Sequence, residues 1–432
     1  RRLKAVTTTV WDASTAKFRN VEQWTLTQGF PDPGDSTRAG LWLERIGHTG
    51  LVGTTTSVPD VVFTGKPLPN RVDAVDTAPA MNWQRLTSVA TETGGLITVS
   101  YSEPDCVAGT RVPAAPESNT MRCYPVKWTR QGYDDPTIDY FHKYVVTDVV
   151  ETDLTGGATR VLHHYDYLGD PAWHYTDDDG LLTEEQKTWS QWRGYARVAV
   201  TDGDPGEQTR SETLFLRGMH GDKLPTGTRS VTVTDAEGGT VLDEDAFADT
   251  VREQRILNGP GGAEVSATIT DPWQSAPTAT RTINGATVSA RHTNVAASHS
   301  RTALDGGRGA RRSSTRNQFD AYGSVVRSDD FGDDAVTGDE QCAVTTYEPR
   351  NTTRWLTALA HRTQAFALTC DQQAAAQAQG TITVDTIVSE ARSSYDTNAW
   401  GAAPTRGDIT AVEQLAGYTG GTSTYVTVAR ST

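Results

Sequence analysis

Cysteines, histidines and clustered carboxylates are the side chains here with chemistry to offer. The cysteines are Cys106, Cys123, Cys342 and Cys370, in two local pairs 17 and 28 residues apart. No Cys-x-x-Cys occurs and no histidine stands at zinc-finger spacing, so a metal site is not indicated. Three disulfide connectivities are possible. Local pairing favours Cys106–Cys123 and Cys342–Cys370, with four buried thiols as the alternative. Each bridge would stabilise the fold by ~2–4 kcal/mol and would imply a secreted or cell-surface protein.

The nine histidines are scattered. His163 and His164 are adjacent, and neighbours on a strand point to opposite faces, so the pair cannot easily chelate one ion. His220 lies in Gly218-Met219-His220-Gly221-Asp222, beside a carboxylate that a general base would want; a turn histidine is the simpler reading. Asp and Glu total 54, and a glycosidase would need two of them ~5–5.5 or ~6.5–9.5 Å apart. The clusters Asp177-Asp178-Asp179 and Asp329-Asp330 with Asp333-Asp334 sit beside glycine and read as solvated turns. Calcium is their competing use, although EF-hand spacing is missing. No Gly-x-Ser-x-Gly, phosphate loop or His-Glu-x-x-His occurs. The expectation is a non-catalytic protein without cofactor or metal.

Trp173, Trp189 and Trp192 are close enough in sequence to line one surface. They would either anchor packing or form a sugar-stacking platform, which keeps a glycan as a possible partner. A net charge of −15 argues against nucleic acid on the bulk surface. The local basic group Arg308, Arg311, Arg312 and Arg316 reads as a solvated loop. No apolar run reaches the ~18 residues of a membrane span. The chain opens Arg1-Arg2-Leu3-Lys4 without a signal-peptide core, and both ends read as cuts in a longer polypeptide.

The elements that would position these residues are short strands and turns. Hydrophobic residues make up 36%, which suits many half-exposed strands. Gly95–Tyr101, Tyr144–Val150, Tyr195–Thr201 and Glu212–Arg217 read as strands. Ser230–Thr234 turns at Asp235–Gly239 and resumes at Thr240–Leu242. Thr280–Ile283 and Ala286–Ser289 flank Asn284-Gly285, a hairpin turn. Two helices are expected: one opening at Thr183-Glu184-Glu185-Gln186 with a capping box and running near 183–193, the other at Asp371–Gln379. The most telling segment is Phe319-Asp320-Ala321-Tyr322-Gly323-Ser324-Val325-Val326. An aspartate that can accept turn amides precedes a glycine free to take positive φ. Looser copies are Tyr165-Asp166-Tyr167-Leu168-Gly169, and Tyr395-Asp396 with its glycine displaced to Gly401. No strict period appears. The expected regions are 1–125 (N-terminal β-rich), 126–299 (β-sheet with the first helix), 300–316 (Gly/Arg loop) and 317–432 (β-hairpins).

These aromatic–Asp segments resemble the repeats of the Rhs/YD-repeat family, which includes polymorphic toxins, Tc-toxin shells and teneurins. Trp192-Arg193-Gly194-Tyr195-Ala196-Arg197-Val198 is similar to an Arg-Gly-aromatic strand start that related shells carry before their repeats. The whole chain resembles the region upstream of the dense repeats in secreted actinobacterial Rhs-like proteins. The resemblance implies an all-β fold of antiparallel hairpins spiralling into a curved shell around a C-terminal toxin. The rest of the same polypeptide would be the partner. The family's self-cleaving Asp-Pro-x-Gly-Leu pattern has no match: Asp32-Pro33-Gly34 departs from it, and Asp135-Pro136, Asp204-Pro205 and Asp271-Pro272 lack the Gly-Leu. No catalytic residue therefore carries over. The expected function is structural shell wall; the alternatives are a carbohydrate-binding adhesin and a polysaccharide-active enzyme.

Overall fold

The computed structural model describes residues 2–72, 78–130, 132–177, 182–283 and 285–431. It is nearly all-β, and the chain forms two units: 1–231 with 257–263, and 232–256 with 264–432. The sequence-based boundaries at 125, 299 and 316 do not coincide with that division.

The first unit holds β1 (Ala5–Asp12), β2 (Lys17–Gly29), β3 (Trp42–Gly50), β4 (Thr56–Ser57), β5 (Val61–Pro69), β6 (Asn82–Ala90), β7 (Gly95–Tyr101), β8 (Cys123–Trp128), β9 (Thr137–His142), β10 (Val146–Asp153), β11 (Val161–His174), β12 (Gln191–Asp202) and β13 (Thr209–Leu216). Pairing is antiparallel and follows chain order: β1–β2–β3–β5–β6–β7–β10–β11–β12–β13. Off that ladder are the short β4, paired to β3, and the hairpin β8–β9. The Cys106–Cys123 disulfide staples the loop before β8 onto that hairpin.

The second unit repeats the plan. It contains β14 (Thr232–Thr234), β15 (Thr240–Leu242), β16 (Thr250–Leu257), β17 (Glu264–Gln274), β18 (Ala279–Ile283), β19 (Ala286–Ala290), β20 (Thr293–Ala303), β21 (Ala310–Phe319), β22 (Val325–Asp333), β23 (Gln341–Tyr347), β24 (Ala360–Phe366), β25 (Ile387–Tyr395), β26 (Ile409–Thr419) and β27 (Thr422–Arg430). The ladder β17–β20–β21–β22–β23–β24–β25–β26–β27 is antiparallel throughout. Helix α1 (Cys370–Gln379) sits between β24 and β25. Thr369 and Gln372 cap it reciprocally, and Gly380 ends it at φ 68°, the left-handed cap that glycine takes without a Cβ clash. Its first residue is tied to β23 by the Cys342–Cys370 disulfide.

Apolar burial is thin. Among the described residues, buried polar side chains are as numerous as buried apolar ones. Cys342, Phe366 and Cys370 form a small cluster with Val344, Leu368, Ile382 and Ile387 against it. Elsewhere ion pairs fill the space. Arg301 meets Glu264 at 2.6 Å and Glu253 at 3.2 Å, while Arg252 meets Asp235 at 2.5 Å. Such pairs recover the cost of desolvation only through multiple hydrogen bonds.

Two expectations fail here. The expected helix over 183–193 is only a single 3₁₀ turn, Glu184–Gln186. Its capping box forms, but the Thr188 carbonyl then bonds the Thr176 amide at 3.0 Å, and that pairing holds the chain extended. Most of the expected loop 300–316 is strand: β20 runs to Ala303 and β21 starts at Ala310. Strand pairing accommodates the arginines because acids stand within reach. Arg312 meets Glu237 at 2.6 Å, Arg316 meets Asp329 at 3.2 Å and Arg311 meets Asp333 at 3.3 Å. The Asn284-Gly285 hairpin forms between β18 and β19 with Gly285 at φ 84°; Asn284 lies outside the described residues.

Because the apolar cluster is so small, the bridge through it carries much of the local stability. Replacing Cys342 and Cys370 together by alanine should lower stability by about 2–4 kcal/mol, read as the shift in urea midpoint.

Candidate functional site

The residues with the most work to do are the aspartates at strand reversals. β21 ends at Phe319 and β22 begins at Val325. Between them the Asp320 carboxylate accepts hydrogen bonds from the amides of Tyr322 (2.9 Å) and Ser324 (3.0 Å). Gly323 sits at φ 73°, where an L-residue is strained by about 1–2 kcal/mol. A Cβ there would also lie 2.8 Å from His292 Cβ. The Arg350 guanidinium binds the second Asp320 oxygen and lies over the rings of Tyr322 and Tyr347 at 5.2 and 4.2 Å. Phe319 stacks on Trp273 at 4.2 Å. Burial pushes the Asp320 carboxyl up, yet the two amides and Arg350 outweigh it and hold the group below its usual range.

The same closure occurs at two reversals that have no aromatic before the aspartate. Asp153 accepts from the amides of Thr155 (2.7 Å), Gly157 (2.6 Å) and Ala158 (2.9 Å), with Gly156 at φ 83°. Asp235 accepts from Glu237 (2.9 Å) and Gly239 (3.0 Å), with Gly238 at φ 88°. The common signal is therefore Asp-x-x-Gly. Hydrogen bonds from the Thr155 hydroxyl and amide, then from Gly157 and Ala158, pull the Asp153 carboxyl down to about 2.

Tyr395-Asp396 closes β25 onto β26 in a longer form. Asp396 and Thr397 both have positive φ, 57° and 62°. The Asp396 carboxylate accepts from the amides of Thr405 (2.5 Å), Arg406 (2.9 Å), Gly407 (3.0 Å) and Asp408 (3.0 Å). These bonds, Arg406 foremost, hold it at about 2. Tyr395 donates its hydroxyl to the Ala360 carbonyl at 2.7 Å. Gly401 has φ 80° but takes no part in this set of amides.

Tyr165-Asp166 is not a turn. Both residues lie inside β11, paired to Val200 and Ala199 of β12, just past the stretch Val161–His164 that pairs with β10. Asp166 spends its carboxylate on Arg210 at 2.6 Å and His164 at 3.3 Å and not on local amides, so nothing reverses the chain. Gly169 does take positive φ, 82°, at a bulge where β11 gains one residue on β12. A second bulge follows on β12, with Gly194 at φ 70°, and restores the register. The Arg193-Gly194-Tyr195 segment is thus a bulge within β12.

The remaining candidates resolve into structure. His220 accepts from the Val231 amide at 3.3 Å. Asp222 instead accepts from the Tyr175 amide at 2.9 Å and faces His174 Nε2 at 3.5 Å and Arg229 at 3.4 Å. His163 turns to Asp202 (2.5 Å), while His164 turns to Asp148 (2.7 Å). Asp330 and Asp333 accept the amides of Gly332 and Ala335. Asp329 points inward to the Cys370 amide at 2.5 Å. Asp178 and Asp179 lie outside the described residues. Trp173 is buried, stacked on Tyr124 at 4.9 Å and edge-on to Trp192 at 4.8 Å, so it packs within the first unit and is not an exposed stacking platform. Asp329, Cys342 and Cys370 come together, but the two sulfurs are bonded to each other.

No family model matches the chain, and no curated protein matches it. Three similar solved structures are the crystal structure of TcdB2-TccC3 (11% identity, TM-score 0.46), the Photorhabdus luminescens Tc holotoxin pore with a TccC3 mutation (10%, 0.47), and TcdB2-TccC3 without its hypervariable C-terminal region (11%, 0.47). Each alignment covers 90% of this chain and 22% of the other, so the chain spans about a fifth of their length.

Two outcomes test this geometry. Gly401→Ala, at φ 80° with nothing within 4 Å of its added Cβ, should cost only the left-handed strain of roughly 1–2 kcal/mol, while Gly323→Ala, whose Cβ also meets His292, should destabilise the second unit by more; chemical denaturation compares them. The hydrogen bond that His164 donates to Asp148, helped by the charges of Asp148 and Asp166, raises His164 above the ordinary imidazole value. Its stabilising effect is complete below the unfolded value and fades as pH rises through the folded one. An NMR titration should show His164 titrating high, and Asp148→Asn should bring it down.

Proposed function

We propose that this chain is a length of wall in a secreted Rhs/YD-type protein. In this reading it is non-catalytic and helps enclose or present a C-terminal toxin segment of the same polypeptide. The observation that carries the proposal is surface. The chain exposes 24643 Å², whereas two compact bodies sharing its mass equally would expose roughly 19,500 Å². A meander that pairs strand to neighbour in chain order makes such a ribbon, with most side chains half-buried on either face. The excess surface includes large apolar side chains. Val6, Val10, Trp11 and Phe18 are exposed on the first hairpin, and Ile409, Val426 and Val428 on the last. Exposed apolar groups of this extent signal contact with further protein.

The two disulfides support an oxidising, extracytoplasmic location. No helix among the described residues is long and apolar enough to cross a membrane.

Hydroxyl-radical footprinting tests this directly. Trp11, Phe18, Ile409 and Val428 should be labelled readily in the isolated chain and protected in its full-length translation product. Equal labelling in both would overturn the proposal.

A further inference from the structure

A cavity of about 410 Å³ opens within the first unit between β6, the end of β9 and the start of β12. Its lining includes Arg85, His142 and Lys143 together with Tyr124, Trp173 and Trp192. Three basic side chains thus face one space, and no carboxylate is among the described lining residues. Glu103 lines a separate cavity that shares Arg85 and Tyr144.

The cationic groups are incompletely partnered. Arg85 donates to the Asn70 side chain at 2.7 Å and lies over the Tyr144 ring at 5.1 Å. Lys143 Nζ sits 5.3 Å from the Trp192 ring, and no hydrogen-bond acceptor or ion pair for it occurs among the described residues. His142 is 8% exposed, and its Nδ1 is buried with no hydrogen-bond partner among the described residues. A buried polar atom left without a partner costs about 1–3 kcal/mol. Burial lowers both His142 and Lys143, and Arg85 lowers them further.

The walls are as informative as the charges. Trp173 is locked by its indole hydrogen bond to the Met121 carbonyl at 2.9 Å. It stacks on Tyr124, so the aromatic side of the cavity is rigid. A pocket of ~300–1,000 Å³ with aromatic walls and a few convergent polar groups is the usual form of a small-molecule site.

We propose that this cavity binds a carboxylate attached to a ring-shaped body, such as an acidic sugar or an aromatic acid. The carboxylate meets Lys143 and Arg85, with His142 donating to it when protonated, and the ring lies against the aromatic wall. This goes beyond the wall role and does not depend on it. Binding an anion here relieves the mutual repulsion of the three basic groups, so it takes up protons near neutral pH. The other titratable groups around the space are Tyr124 and Tyr144.

The test is calorimetric titration of the intact chain with glucuronate, glucose, benzoate and acetate at constant ionic strength. At least one ring carboxylate should bind saturably, about tenfold or more tighter than glucose and acetate. Glucuronate alone identifies an acidic sugar, and benzoate alone identifies an aromatic acid. Lys143→Met should weaken binding by about tenfold or more, Lys143→Arg should retain it, and thermal melting shows that both variants fold. Repeating the titration in buffers of different ionisation enthalpy should reveal proton uptake. The proposal fails if neither ring carboxylate binds, if glucose or acetate binds as tightly, or if folded Lys143→Met binds unchanged.

Discussion

Every reversal in a meandering sheet strands backbone amides that no neighbouring strand can accept. At several reversals of this chain an aspartate at the end of the strand supplies the missing acceptor. Asp153, Asp235 and Asp320 each take the amides two and four residues on, and a glycine at the third position turns the chain through positive φ. Asp396 does the same at longer range, gathering four successive amides. Without such closures, long antiparallel ladders would need large loops, which cost more entropy to order.

The closures matter because the fold has little else concentrated in one place. Stability is spread along the ladders, through ring contacts such as Phe319 on Trp273, ion pairs such as Arg301 with Glu264, and two disulfides. Large apolar side chains such as Phe18 in the first unit and Val428 in the second remain exposed.

Much of the fold was legible in the sequence because local rules wrote it. Gly95–Tyr101 became β7, the Phe319-Asp320 turn closed as its spacing required, and both disulfides follow the local pairing. The failures share a cause. Tyr165-Asp166 matches the turn pattern, but Arg210, forty-odd residues away, claims the carboxylate and β12 claims the backbone. The helix from Thr183 had its cap, but Thr176 took the next carbonyl. Arg311, Arg312 and Arg316 had loop composition until distant acids neutralised them. In the other direction, requiring an aromatic before the aspartate hid Asp153, whose turn works without one. The cavity around Lys143 joins β6, β9 and β12, which no local pattern could bring together.

The central claim, that ionised aspartates hold the reversals, is tested most directly by amide exchange as a function of pH. The amides of Tyr322, Ser324, Gly157 and Ala158 should be protected at neutral pH and down through the free carboxylate value of about 4, because Asp320 and Asp153 are both held below their usual range. Protection of Gly157 and Ala158 should be lost as pH falls through about 2, where Asp153 takes up its proton, while mid-strand amides such as Val198 stay protected. Turn amides that exchange at free-peptide rates near neutral pH would contradict the account.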